Sequence, residues 1–155
     1  IERRKKVLII GASGSVGSFA VQLAKYFGSE VTGVCSTRKV DLVKFLGADH
    51  VLGYKRDDFI RSDSKYDMIF DGAGKMISGI SKAKAKRALS PGGNFISIEM
   101  HYNEQKEDLI FLKNLIESGH VKTVIDKTFS LNEIVEAHHY VESGKKKGNV
   151  VIKVG

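Results

Sequence analysis

Residues Lys6–Gly17 read KVLIIGASGSVG, a short apolar run followed by a loop of small residues. The run Lys6–Ile10 shows no polar alternation, which is the pattern of a strand covered on both faces of a parallel sheet. From Ser15 to Phe27 the apolar residues Val16, Phe19, Ala20, Leu23 and Phe27 recur near helical spacing, and Gly28 stops the helix as a C′ glycine does. Between the two, Ala12-x-Gly14-x-x-Gly17 is the glycine fingerprint of a dinucleotide-binding turn with alanine in place of its first glycine. That turn needs small residues at these offsets. The chain must reverse tightly, its backbone must approach a pyrophosphate, and the helix must pack close on the strand. The N–H groups of Ser15, Val16 and Gly17 would then face the phosphates, aided by the positive end of the helix dipole, with Ala12 and Ser13 completing the cradle. A glycine turn that only joins two elements carries a similar loop, as does a methyltransferase or another nucleotide binder on this fold.

Outward from this segment, strands and helices alternate. Strands are expected at Glu30–Cys35, His50–Leu52, Tyr66–Asp71 and Asn94–Ile98, another within Val121–Phe129, and a last at Asn149–Val154. Helices are expected over Val40–Leu46, Lys82–Leu89, around Leu109–Ile116 and over Leu131–Val141, with a helical turn near Asp57–Arg61 and a turn at Ser90–Gly93. This alternation is the signature of an α/β protein with a doubly wound parallel sheet and right-handed crossovers.

The end of the second strand bears on which dinucleotide fits. An NAD-type site wants an acid about 20 residues past the glycines, to accept from the ribose 2′-hydroxyl. Here the stretch is Cys35-Ser36-Thr37-Arg38-Lys39, with no acid before Asp41. Two hydroxyls and two cations suit a 2′-phosphate, which a guanidinium can grip through two oxygens. NADP(H) is therefore the expected cofactor; the competing reading makes Arg38 and Lys39 the start of a solvated helix.

Composition narrows the field without naming a function. The 155 residues fit one domain, and 25 Lys+Arg against 18 Asp+Glu give a formal +7. The basic residues fall in scattered groups (Arg3–Lys6, Lys82–Arg87 and Lys145–Lys147) with no aromatic residues between them. Nucleic acid is thus not an expected partner. A single cysteine, Cys35, excludes an internal disulfide framework and a multi-cysteine zinc site. No apolar run is long enough to span a bilayer or serve as a signal peptide, so the expected setting is the cytoplasm, with no membrane partner.

Taken together, VLIIGASGSVGSFAVQLAKYFGSEVTGVCS, LGAD at Leu46–Asp49, YDMIFDGAGK at Tyr66–Lys75, LSPGGNFISI at Leu89–Ile98 and the stretch Phe111–Val154 resemble the cofactor-binding part of the medium-chain dehydrogenase/reductase superfamily. Within it, the resemblance is to the zinc-independent NADPH:quinone oxidoreductases. The resemblance implies a Rossmann sheet of order 3-2-1-4-5, a hydride passed between NADPH and a quinone or conjugated carbonyl, and a homodimer. It implies a pyrophosphate loop at Gly14–Gly17 and a 2′-phosphate pocket of Ser36, Arg38 and Lys39 lined by Tyr54. Gly72, Ala73 and Gly74 would lie beside the ribose. An alcohol dehydrogenase of the same superfamily and a non-catalytic NADP(H)-binding sensor or interaction module are the alternatives.

Two departures from the family follow. Its members begin with a catalytic domain that would precede Ile1, and they carry a further stretch with a sixth strand where this chain runs from Ile98–Met100 into His101–Lys106. The organisation expected is a dinucleotide-binding domain at 1–120 and a strand–helix–strand segment at 121–155 that packs on the catalytic domain in the family. Without that domain the two tail strands are expected to pair with each other, to pair with another copy, or to fray.

Other constellations carry less. Tyr102-x-x-x-Lys106 matches the proton relay of short-chain dehydrogenases, but the pair comes early and no convincing upstream catalytic serine accompanies it; an exposed loop explains it as well. Adjacent His138 and His139 point about 100° apart on a helix and cannot share a metal. Cys35 has no evident activating base and is expected as a small buried residue. Asp71 ends a strand where ligand groups gather, and serves either structure or cofactor.

Overall fold

The computed structural model describes residues 4–54, 59–60 and 63–155. Its five-stranded sheet has the order β3-β2-β1-β4-β5, all pairs parallel. The strands are β1 (Lys6–Ile10), β2 (Glu30–Cys35), β3 (His50–Gly53), β4 (Tyr66–Asp71) and β5 (Leu89–Ser97). The unbroken apolar character of β1 follows from its place at the centre. Leu8 and Ile10 enter one core with Val34, Ile69 and Ile80, while Val7 and Ile9 enter the other with Val21, Val31 and Val43.

Helix α1 (Ser15–Tyr26) crosses from β1 to β2 and ends where Gly28, at φ +76°, donates its N–H to the Lys25 carbonyl. Helix α2 (Val40–Phe45) follows a 3-10 turn at Thr37–Lys39. Gly33 lets that helix close on the sheet, because a Cβ there would meet Val43 Cγ1 at 2.5 Å. Two short helices, α3 (Lys75–Ser78) and α4 (Lys82–Lys86), link β4 to β5. Helix α4 is shorter than its sequence pattern predicts, since Leu89 already opens β5 opposite Tyr66. Ser90–Gly93, expected as a turn, is a bulge inside β5: the pairing jumps from Tyr66↔Leu89 to Met68↔Asn94. The helical turn expected near Asp57–Arg61 lies largely outside the described residues.

Helix α5 (Lys106–Glu117), strand β6 (Ile125–Ser130), helix α6 (Ile134–Glu142) and strand β7 (Asn149–Lys153) complete the chain. The first of the three outcomes expected for the tail strands is the one observed, for β6 and β7 pair with each other in a parallel two-stranded sheet. Buried Gln22 on α1 anchors this segment. Its Nε2 donates to the Lys122 carbonyl at 2.9 Å and its Oε1 accepts from the Lys122 N–H at 2.8 Å. A cleft of about 630 Å³ opens between α1 and the sheet, lined by Val7, Ile9, Leu23, Phe27, Met68 and Phe70. It lies beside the starts of β1 and β4, away from the glycine loop.

Candidate cofactor site

The residues singled out in the sequence gather at the C-terminal ends of β1, β2, β3 and β4, where open α/β sheets bind ligands. Gly11, at φ +76°, turns the chain out of β1, and the N–H groups of Gly11 and Ala12 both donate to the Val34 carbonyl at 3.0 Å. Ala12 is fully buried, which explains why a small residue stands there. Gly14 caps α1 with no side-chain hydrogen bond and no acidic residue in the first turn. Among the described residues the N–H groups of Ser15, Val16 and Gly17 have no partner, so the positive end of this 12-residue helix is free to face an anion.

The Gly72–Gly74 loop lies against the first loop. Gly72 N–H donates to the Ile10 carbonyl at 2.9 Å, and a Cβ on Gly11 would stand 3.0 Å from Ala73 N. Tyr54, after β3, is half-buried and packs edge-on against Phe59. Burial pushes its hydroxyl up to about 12, with the charge of Asp71 adding to the effect and a hydrogen bond with the Gly11 backbone opposing it. The phenol therefore stays neutral at physiological pH.

At the end of β2, Ser36 Oγ is the one buried side-chain polar atom among the described residues without a hydrogen-bond partner. It stands on the turn that carries Thr37, Arg38 and Lys39; Thr37 and Arg38 are exposed, and Lys39 is half-buried. Buried hydroxyls are rarely left unsatisfied, and one beside two cations suits an anionic partner.

The sequence reading did not anticipate the part played by the chain's end. Gly144–Gly148 lies as a strap across both halves of the site. Gly148 N–H donates to the Ser13 carbonyl at 2.8 Å, and Ser15 Oγ donates to the Gly148 carbonyl at 3.0 Å. Lys146 Nζ donates to Ser15 Oγ at 2.7 Å, while Lys39 Nζ donates to the carbonyls of Gly144 and Lys146. Lys146 is thus an additional cation at the glycine loop, and the basic run Lys145–Lys147 was its only signal in the sequence. Burial and the neighbouring charges of Lys146 and Arg38 lower the pKa of Lys39. Such a cluster of like charges favours an anion between them.

Asp126 on β6 holds the strap from below, accepting from Tyr140 Oη at 2.6 Å and from Lys147 N–H at 3.0 Å. Burial raises its pKa, but these hydrogen bonds and the adjacent lysines outweigh that effect and leave the carboxyl below its ordinary value. A carboxylate depressed on folding contributes stability above its unfolded pKa and loses it as pH falls through the folded one. Hydrogen exchange at residues 144–148 is therefore expected to stay slow into the acid range and to quicken only below the ordinary carboxylate pKa. Asp126→Ala should give fast exchange there at neutral pH, and unchanged exchange in that variant would refute the bracing role.

The remaining candidates resolve simply. Cys35 is fully buried, and burial pushes its thiol up to about 11, so it is an inert core residue. Tyr102 donates its hydroxyl to the Ser97 carbonyl at 3.0 Å. His138 and His139 are both exposed, and among the described residues no three His, Cys, Asp or Glu side chains are placed to hold a metal. Also among the described residues, no helix is long and apolar enough to cross a membrane.

Comparison with known proteins places this geometry. Residues 98–152 match the family model described as zinc-binding dehydrogenase. The 2-methylene-furan-3-one reductase of Solanum lycopersicum is 35% identical over 161 residues, covering 96% of this chain and 40% of the reductase. The chloroplastic NADPH-dependent alkenal/one oxidoreductase of Arabidopsis thaliana is 33% identical, covering 96% of this chain and 40% of that protein. The quinone oxidoreductase structure from Coxiella burnetii superposes with a TM-score of 0.77 at 26% identity, over all of this chain and 54% of the other. This chain is a cofactor-binding domain of the medium-chain dehydrogenase/reductase superfamily. It spans about half or less of the length of the relatives it matches. The glycine loop leaves β1 at the centre of the parallel sheet, and the order β3-β2-β1-β4-β5 is the Rossmann order expected from the resemblance.

Proposed function

We propose that this chain binds NADP(H) as the cofactor-holding part of a zinc-independent oxidoreductase acting on a quinone or a conjugated carbonyl. The observation that carries this reading is the buried Ser36 Oγ, without a partner among the described residues, on the turn that presents Arg38 and Lys39. A second feature supports the reading: α1 presses on the turn at Gly17, where a Cβ would stand 2.0 Å from the Gly11 carbonyl oxygen, the close helix–strand contact that the last glycine of the fingerprint permits. Names of relatives agree, among them an NADPH-dependent alkenal/one oxidoreductase and the quinone-oxidoreductase homologue of Spinacia oleracea.

When bound, the reduced nicotinamide supplies a hydride to the substrate. The chain's own residues bind and orient. The N–H groups of Ser15, Val16 and Gly17 would hold the pyrophosphate, with Ala12 and Ser13 forming the floor and Lys146 adding positive charge. Ser36, Thr37, Arg38 and Lys39 would hold the 2′-phosphate, and Tyr54 would wall that side of the pocket. Gly72, Ala73 and Gly74 would flank the nicotinamide ribose. Residues 1–120 form the dinucleotide-binding part in this reading, and 121–155 the segment that closes over it; the working enzyme is a homodimer. A superfamily alcohol dehydrogenase is the second reading, favoured by the match to the zinc-binding dehydrogenase model and by the likeness to an alcohol dehydrogenase structure from Pyrobaculum aerophilum, at 26% identity and a TM-score of 0.79.

Titration with NADPH and NADH side by side tests the cofactor assignment. NADPH is expected to bind at least about tenfold more tightly, the scale of one charge-assisted hydrogen bond. Equal affinities would remove the 2′-phosphate assignment.

A further inference from the structure

Asp71 is fully buried at the end of β4, between Ile10 of β1 and Ser97 of β5. Among the described residues it forms no ion pair; three hydrogen bonds satisfy its carboxylate instead. Oδ1 accepts from the N–H of Ala73 at 3.1 Å and of Gly74 at 3.0 Å, and Oδ2 accepts from Ser78 Oγ at 2.7 Å. Ser78 Oγ in turn accepts from Ile80 N–H at 3.1 Å. A buried carboxylate is costly unless such donors surround it, and here its two oxygens divide between the loop amides at Oδ1 and the Ser78 hydroxyl at Oδ2.

Each bond of this side chain fixes the segment immediately after it. Gly74 is held at φ +80° by the Oδ1 bond, and on the far side Glu99 Oε1 accepts from Lys75 N–H at 2.9 Å. Since Gly72 is bonded to Ile10 and Ala73 lies against Gly11, the position of 72–74 also sets the wall facing the glycine loop. We infer that Asp71 is a positioning residue: through Oδ1 it sets the Gly72–Gly74 loop for the nicotinamide-ribose end of the bound dinucleotide, without touching the dinucleotide itself. This inference rests on the NADP(H) reading above.

The test uses two ligands. Adenosine 2′,5′-bisphosphate carries the adenine-side phosphates and no nicotinamide, whereas NADPH carries both and reports the nicotinamide environment by its fluorescence. Asp71→Ala is expected to bind the bisphosphate within about twofold of wild type, to lose about tenfold in NADPH affinity, and to lose the wild-type emission of the bound nicotinamide. Asp71→Asn keeps the Oδ1 acceptor and is expected to restore both NADPH properties. Should the alanine variant not fold, Asp71→Val takes its place, since its side chain fills the buried space and accepts no hydrogen bond from the loop amides. Equal losses for both ligands, or no loss for either, would overturn the inference, as would an Asn variant that behaves like Ala. A wild-type chain that binds neither ligand would instead remove the functional reading, and the inference with it.

Discussion

Gly17→Ala is expected to abolish dinucleotide binding and to destabilise the fold by about 3 kcal/mol, the upper range for overpacking a well-filled site. In a chain of this size that corresponds to a fall of about 10 °C in Tm. The added Cβ would stand 2.0 Å from the Gly11 carbonyl oxygen, 2.7 Å from Gly11 C and 2.9 Å from Ala12 Cα. All three are backbone atoms of the turn, so no flexible side chain can give way. Relief requires α1 to shift off β1, and that opens the core around Val21 and Ile9. Gly14→Ala is the control, since its nearest contact is the Gly11 carbonyl oxygen at 3.3 Å, and it should cost far less stability. Thermal unfolding of the two variants with and without NADPH checks the contrast. A Gly17→Ala chain melting with wild type would show that the helix and strand are not as close as described.

Arg38→Ala is expected to weaken NADPH binding by roughly 10–100-fold while leaving NADH unchanged, as removal of a charge-assisted contact to phosphate should. The exposed guanidinium makes no hydrogen bond or ion pair among the described residues, so its loss should leave the unbound fold intact. Ser36→Ala separates ligand recognition from folding more sharply. Its hydroxyl is buried without a partner among the described residues, so the variant should gain stability, by about 1 kcal/mol, while its NADPH affinity falls. Opposite signs for stability and affinity mark a group held ready for a ligand. Isothermal titration with both nucleotides, paired with denaturant unfolding, measures the two quantities. Equal losses for NADPH and NADH in Arg38→Ala would contradict the assignment.

The central sheet was legible because its signals are local. An unalternating β1, a glycine loop at fixed offsets and helices closed by Gly28 and Gly47 each depend on a few neighbouring residues. The turn at Ser90–Gly93 was legible as a turn but not as a bulge, since only the register against Tyr66 and Met68 reveals that β5 resumes beyond it. Short α3 escaped because Lys75–Ser78 is a single turn, set by the Asp71 and Glu99 bonds around it rather than by periodicity. The glycine loop and the Ser36–Lys39 turn could be picked out from chemistry alone. Lys146 could not. Its approach to Ser15 spans most of the chain, and a basic run near the end of a sequence ordinarily signals nothing beyond solubility.

The strap has a further consequence during synthesis. All five strands of the main sheet lie within residues 6–97, so a growing chain can close the sheet and shape the glycine loop early. Residues 144–148, which bond to Ser13, Ser15 and Lys39, emerge about 50 residues later, a matter of seconds. Until they emerge, the pocket beside the sheet lacks the strap across the glycine loop. The glycine loop is therefore shaped by the early part of the chain and covered only by the late part.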